Sequence, residues 1–388
     1  MCRSCISSIR YMERLKTAGK YILNFLIILA IGALSLFLSV GSEGEAFLDA
    51  LVTSDKRFIL VMAGLMLCYY LIDALILFII CKDLKYRISY KQSFVTNMTG
   101  VLFSDLTPSS TGGQFAQVYV FHNQGVPAGI ASGILAMCFV TYQIVIIVYA
   151  TIAMLCNHNV IFANQQTTVI AVVGFIVNVV ITGSFFLATK LKKVHTFLTV
   201  SCLKFLEKIR IVKDYDKTSK SVNKAFEEFR NVSSILFSRK SLFAKVCLCH
   251  AMKLTLLYSV PFFAALSLKV PLNPANYPNF LSLAAAISLF NTFMPIPGAS
   301  GGSEASFMLL FGFLGQATAS SAMLIWRMLT FYFGLLVSIL IVAFAKDTKG
   351  GIMKGIKEME KAQDEELSSQ AGPSVITPED IPSDGDSK

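Results

Sequence analysis

The stretch Phe293-Met-Pro-Ile-Pro-Gly-Ala-Ser-Gly-Gly-Ser-Glu304 puts prolines and glycines into an apolar region, where a helix cannot run unbroken. It has an echo upstream, Pro108-Ser-Ser-Thr-Gly-Gly113. Both read Pro-x-x-[Ser/Thr]-Gly-Gly, as Pro108, Thr111, Gly112, Gly113 and as Pro297, Ser300, Gly301, Gly302. Each is followed by a short amphipathic stretch, a further glycine (Gly125, Gly315) and a long apolar run. Paired Gly/Pro interruptions in matching positions of two halves point to a transporter-like binding site.

The composition around these breaks sets the class. Hydrophobic residues make up 54% and charged residues only 15%, against about a quarter in a soluble domain. Several apolar runs reach the length of a bilayer crossing, so a water-soluble enzyme is excluded. The net charge of +10 is topological rather than a nucleic-acid signature, because Lys and Arg cluster in alternate loops. The nine cysteines are odd in number and scattered, several within apolar runs, so free thiols are expected. Cys247-x-Cys249-His250 lies on one helix without a second ligand pair, so no metal site is expected there.

The apolar runs place six full spans, at roughly 20–40, 57–81, 127–156, 167–189, 241–268 and 316–345. The basic N-terminus (1–19), the loop 82–91, the segment 190–240 and the tail belong in the cytoplasm. The loops 41–56, 157–166 and 269–279 are poor in Lys and Arg and belong outside. Six crossings alternate correctly only if the two interrupted segments, near 89–122 and 280–315, enter and return on one side. The expected architecture is therefore an all-α polytopic membrane protein, with six full transmembrane helices and two re-entrant hairpins in an inverted repeat. The first repeat covers 20–156 and the second 157–346, with amphipathic helices in 190–240. Residues 347–388 form a polar tail, expected to be largely disordered. Both termini are then cytoplasmic.

Candidate chemistry follows from depth. The Gly112/Gly113 and Gly301/Gly302 pairs allow close approach or positive φ, and the helix starts beside them, with Ser303 and Gln114, present N–H groups suited to an anionic headgroup. The plainer reading is helix packing through small residues. Glu304 falls in the first turn after Gly302, where a carboxylate complements the helix N-terminus or meets a buried cation. Arg327 lies about 16 Å into the sixth span, near the midplane, and needs a partner or a cavity. Glu304 and Arg327 are expected to face one site. Asp105, Asp73 and Lys253 are further intramembrane candidates, with His250 on the face of Lys253. Gln114, Gln117, Tyr142 and Gln143 read first as interhelical polar contacts and second as a neutral lining. The chain has no Walker motif, nucleotide fingerprint, His-x-x-x-His pair or Ser/His/Asp set, so no catalytic residue, metal or cofactor is expected.

These motifs resemble a family. Thr107-Pro-Ser-Ser-Thr-Gly-Gly-Gln114 with Gly125 is similar to the first motif of the lysylphosphatidylglycerol synthase transmembrane region. Pro295-Ile-Pro-Gly-Ala-Ser-Gly-Gly-Ser-Glu304, then Gly315 and Arg327, is similar to its second, and the resemblance runs over about 15–346. Gln114 stands where many relatives carry an acid, so no charged role is carried onto it. The resemblance implies a flippase-like membrane region in the bacterial cytoplasmic membrane that handles a phospholipid or a polyprenyl-linked lipid. Its bifunctional members add a cytosolic domain that transfers an amino acid from aminoacyl-tRNA. Only about forty polar residues follow the last span here, so that transferase chemistry is not expected in this chain.

The resulting expectation is a lipid transporter that works with Glu304, Arg327 and the two Gly-Gly breaks. The rival is the membrane component of a phosphatidylglycerol lysyltransferase, which reaches tRNA only through a partner synthase. A third is a scaffold that docks cytosolic proteins through 190–240. A homodimer is the oligomer the resemblance makes worth testing.

Overall fold

The computed structural model describes residues 52–107, 111–162, 165–190, 239–292, 299 and 301–345. The expected first span at 20–40, most of the basic segment 190–240 and the tail lie outside the described residues, as do Pro108, Pro297 and Ser300. The described residues form helices α1 (Lys56–Asp83), α2 (Tyr90–Leu106), α3 (Thr111–Asn123), α4 (Ala128–Cys156), α5 (Gln165–Lys190), α6 (Lys240–Ser267), α7 (Tyr277–Asn291), α8 (Gly302–Phe311), α9 (Gln316–Arg327) and α10 (Phe333–Phe344). A π turn, Met328–Tyr332, joins α9 to α10 in one run.

Four helical runs are long and apolar enough to cross a membrane: Lys56–Asp83, Ala128–Cys156, Lys240–Ser267 and Gln316–Phe344. α5 is 26 residues long, but its apolar stretch, Thr168–Ser184, is shorter. The helices beside the two breaks are shorter still. At 1.5 Å per residue α2 and α3 reach about 26 and 20 Å, and α7 and α8 about 22 and 15 Å, all short of a ~30 Å hydrocarbon core. The burial pattern is that of a protein solvated by lipid. Leu60, Ile152, Leu155, Val180 and Phe344 are exposed, while Lys253, His250 and Arg327 are buried.

Local sequence sets the helix ends. Asp55 caps α1, its carboxylate accepting from the Arg57 N–H at 2.9 Å. Ser89 and Gln92 form a reciprocal capping box at α2. α1 and α6, each 28 residues long, end alike. Tyr86 N–H bonds to Cys81 C=O at 2.9 Å and Val270 N–H to Ala265 C=O at 3.2 Å, closing Schellman turns. The left-handed residue is a lysine in both, Lys85 at φ 64° and Lys269 at φ 62°. Gly125 and Gly315, ahead of α4 and α9, share φ values of 89° and 88°.

Helix pairings repeat in the same way. α1 packs on α2 as α6 packs on α7; α2 packs on α10 as α7 packs on α4. α1 and α6 form the most extensive seam and run antiparallel. Asp55 N–H at the start of α1 bonds to Ser267 C=O at the end of α6, at 2.8 Å. At the other end Arg239 pairs with Asp83.

Candidate functional site

A cavity of about 590 Å³ lies between these elements. It is lined from α1 (Tyr69, Asp73), α2 (Asn97, Ser104, Asp105), α3 (Gln114, Gln117), α4 (Tyr142, Gln143), α6 (His250, Lys253), α7 (Ser288, Asn291), α8 (Ser303) and α9 (Trp326, Arg327). Residues far apart in sequence thus converge on one polar interior, of the size of a small-molecule site.

Two intramembrane ion pairs bound it. Arg327 Nε stands 2.9 Å from Glu304 Oε1, and Arg327 keeps only 7% of its surface exposed. The guanidinium also lies over the Phe331 ring, 4.6 Å from its centroid. Glu304 is not among the residues that line the cavity, and it has a second partner: its Oε2 accepts from the Gly301 N–H at 2.7 Å. Both expected roles of this carboxylate, at the helix start and against a buried cation, are met by its two oxygens. Gly301 takes φ 82°, a conformation that favours glycine, and so lets the chain turn into α8.

The second pair joins α1 to α6. Lys253 Nζ donates to Asp73 and lies 5.2 Å from the Tyr69 ring centroid and 4.8 Å from that of Tyr142. One turn away, His250 Nε2 lies 3.2 Å from Thr141 Oγ1. Lys253 is 13 residues from the start of α6, about 20 Å along a helix of about 42 Å, so the pair is at mid-depth. α6 carries Pro261 and the run after Arg327 carries the π turn, and both Pro261 and Thr330 reach the cavity wall. Such helix irregularities free backbone groups where protein or a cavity can meet them.

The first Gly-Gly pair is used differently from the second. Thr111 opens α3, so Gly112 and Gly113 lie inside its first turn and neither takes positive φ. A Cβ on Gly113 would stand 2.6 Å from the Gly100 carbonyl oxygen, so this glycine lets α2 and α3 touch. The Gly112 N–H is taken by Thr107 Oγ1 at 2.9 Å, as the Gly301 N–H is taken by Glu304. These two N–H groups therefore have acceptors within the chain. Gly302 opens α8. Asp105, Gln114 and Gln117 line the cavity with Ser104. Gln143 does double duty, lining the cavity and donating to Asn178 Oδ1 at 3.4 Å.

Several residues of this interior were not singled out from the sequence. Asn97 and Asn178 tie helices together, Asn97 to Tyr70 C=O at 3.3 Å and Asn178 to Leu289 C=O at 2.9 Å. The available signal was an amide isolated in an apolar run. Trp326, Asn291 and Thr141 carried no comparable signal.

No curated protein matches this chain. The family profile of the lysylphosphatidylglycerol synthase transmembrane region matches residues 22–338, a stretch that takes in both Gly-Gly breaks, both ion pairs and every helix around the cavity up to α10. The chain belongs to the lysylphosphatidylglycerol synthase transmembrane region family.

Proposed function

We propose that the chain is a lipid transporter of flippase type, passing a phospholipid or lipid-linked headgroup through the cavity while the acyl chains stay in the bilayer. The observation that carries this reading is a polar cavity beside the middle of α6, whose wall carries Asp73, Lys253 and Arg327, each held in an ion pair whose cation is buried. Charge at that depth is costly and is kept where it faces a substrate path. A helix bundle without such a role is more stable with apolar packing there.

The full architecture in this reading is six crossings and two re-entrant hairpins, α2–α3 and α7–α8, in two inverted repeats. The antiparallel run of α1 and α6, their matching C-terminal Schellman turns and the matched helix pairings support it. Equivalent helices of a parallel repeat would run in the same direction. The first hairpin then dips from the cytoplasm and the second from outside, both termini are cytoplasmic, and the membrane is the bacterial cytoplasmic one.

The test is directed flipping in proteoliposomes, with fluorescent phosphatidylglycerol and its lysyl derivative, beside Arg327→Ala and Glu304→Gln. Movement that both substitutions abolish, in folded protein, is the expected result. Movement unchanged in both variants refutes the site. The family supports a second reading, the membrane component of lysylphosphatidylglycerol synthesis. Labelled lysyl-tRNA with phosphatidylglycerol separates the two: product formed by this chain alone establishes the enzyme.

A further inference from the structure

Asp73, Lys253 and Arg327 on the cavity wall are engaged in ion pairs; Asp105 lines it outside both pairs, and several neutral groups stand beside them. Among the described residues Gln143 Oε1, His250 Nδ1, Asn291 Oδ1 and Ser303 Oγ have no hydrogen-bond partner. Gln143, His250 and Ser303 are at most 2% exposed, and all four residues line the cavity. Leaving a buried polar atom unpaired costs about 1–3 kcal/mol, so this is an unfilled set of bonds.

The surrounding network fixes what these atoms want. Asn178 Nδ2 donates to two carbonyls, Gly174 at 2.8 Å and Leu289 at 2.9 Å. Its Oδ1 is therefore the acceptor for Gln143 Nε2, which leaves Gln143 Oε1 as an acceptor. The Thr141 hydroxyl lies 2.9 Å from Met137 C=O and 3.0 Å from Cys138 C=O, so its hydrogen is committed to the backbone. It must accept from His250 Nε2–H, and His250 Nδ1 is then an acceptor as well. Asn291 Oδ1 is a third acceptor, and only Ser303 Oγ can both give and take.

A ligand that completes this wall brings donors. A bare phosphate brings none and would meet the acceptors with like partial charge. An ammonium brings at most three donors; Asp105 would draw it, but it would face Lys253 and Arg327 on the same wall and leave the neutral acceptors short of donors, with Asp73 and Glu304 already held by those two cations. Hydroxyl groups supply donors without charge. Resting on the transport reading above, we infer that the cavity recognises a hydroxyl-rich headgroup, a sugar or polyol, through Gln143, His250, Asn291 and Ser303. Each of these atoms is itself covered, so an entering headgroup must displace what covers it.

Trp326 is the only tryptophan of the chain and lines the cavity, so its emission reports occupancy without a label. The full chain in nanodiscs is titrated with glucosyl-dihexanoylglycerol, its tetra-O-methyl derivative and a dihexanoylglycerol esterified with lysine. The O-methyl compound keeps the sugar ring and its oxygens, loses the O–H donors and adds four methyl groups, so the Gln143→Met comparison below separates lost donors from added bulk. A saturating response to the glucolipid is expected, with binding of the O-methyl compound at least about tenfold weaker. Gln143→Met should weaken the glucolipid about fivefold and leave the O-methyl compound unchanged. Equal binding of the two sugars, tighter binding of the lysyl lipid, or no response in folded protein overturns the inference. The wild-type comparison does not depend on any variant folding. Flipping of the same lipids separates the two claims: flipping blind to O-methylation sinks this inference alone, and hydroxyl-selective binding without flipping sinks the transport reading alone.

Discussion

Removing one member of the Asp73–Lys253 pair should harm the protein more than removing both. Lys253 is 5% exposed, so Asp73→Asn strands an ammonium in the interior beside the Tyr69 and Tyr142 faces. Breaking a fully buried pair costs about 3–5 kcal/mol. The Asp73 side chain is 23% exposed, so the loss is lowered to about 2–3 kcal/mol. Lys253→Met strands the more exposed carboxylate and should cost less, about 1–2 kcal/mol. The double variant leaves no orphan charge and should lose only about 1 kcal/mol, giving a coupling of about 2 kcal/mol or more. The assay is reversible unfolding in mixed micelles across the four proteins of the cycle. Single losses that add within about 0.5 kcal/mol would refute the claim that the pair is coupled and buried. A Lys253→Met loss larger than that of Asp73→Asn would refute the ranking by exposure.

Other expectations rest on single geometries. Gly113→Ala puts a Cβ against the Gly100 carbonyl, which is backbone and cannot rotate away, and should destabilise by about 1–3 kcal/mol with loosened α2–α3 contact, read by thermal unfolding. Lys85→Gly and Lys269→Gly relieve the left-handed conformation at the ends of α1 and α6, and each should raise stability by up to about 1 kcal/mol in the same assay. Arg239→Ala removes an ion pair whose arginine is 49% exposed, so it should change stability by less than about 1 kcal/mol.

Much of this fold was legible because hydropathy and depth act along a single helix. The run Lys56–Asp83 and the break around Gly301 follow directly from such patterns. The meeting of Glu304 with Arg327 was legible for the same reason, since one carboxylate and one arginine near the same depth in adjoining segments have few other partners. Asp73 and Lys253 are different. They are 180 residues apart, and their contact depends on the antiparallel alignment of α1 with α6, which no local pattern encodes. Gly112 and Gly113 show the limit of a motif. The same Gly-Gly letters serve a helix start in one half and close helix approach in the other, because the register of the helix start differs by about two residues.

The two ion pairs sit in mechanically different places, and this bears on how the cavity opens. Asp73–Lys253 lies within the α1–α6 seam, which is also fastened near both ends, by Asp55 to Ser267 and by Asp83 to Arg239. An element held at three levels makes a poor hinge. Glu304–Arg327 instead joins the first turn of α8 to the end of α9, beside a π turn and next to the break at Gly301. Irregular backbone on both sides gives this contact room to move. Under the transport reading the seam is the static spine, and α7–α8 moves against it. A disulfide between Asp55→Cys and Ser267→Cys should therefore leave flipping within about twofold of the reduced protein, whereas a cross-link between Glu304→Cys and Arg327→Cys should lock the cavity. Because those two substitutions remove charge, the readout for the second clamp is access rather than transport: in a background without native cysteines, a thiol reagent should modify Ser303→Cys, located by peptide mapping, from one side of the membrane when cross-linked and from both when reduced. Flipping lost on clamping the seam, or access at Ser303→Cys unchanged by clamping α8 to α9, would place the moving element elsewhere.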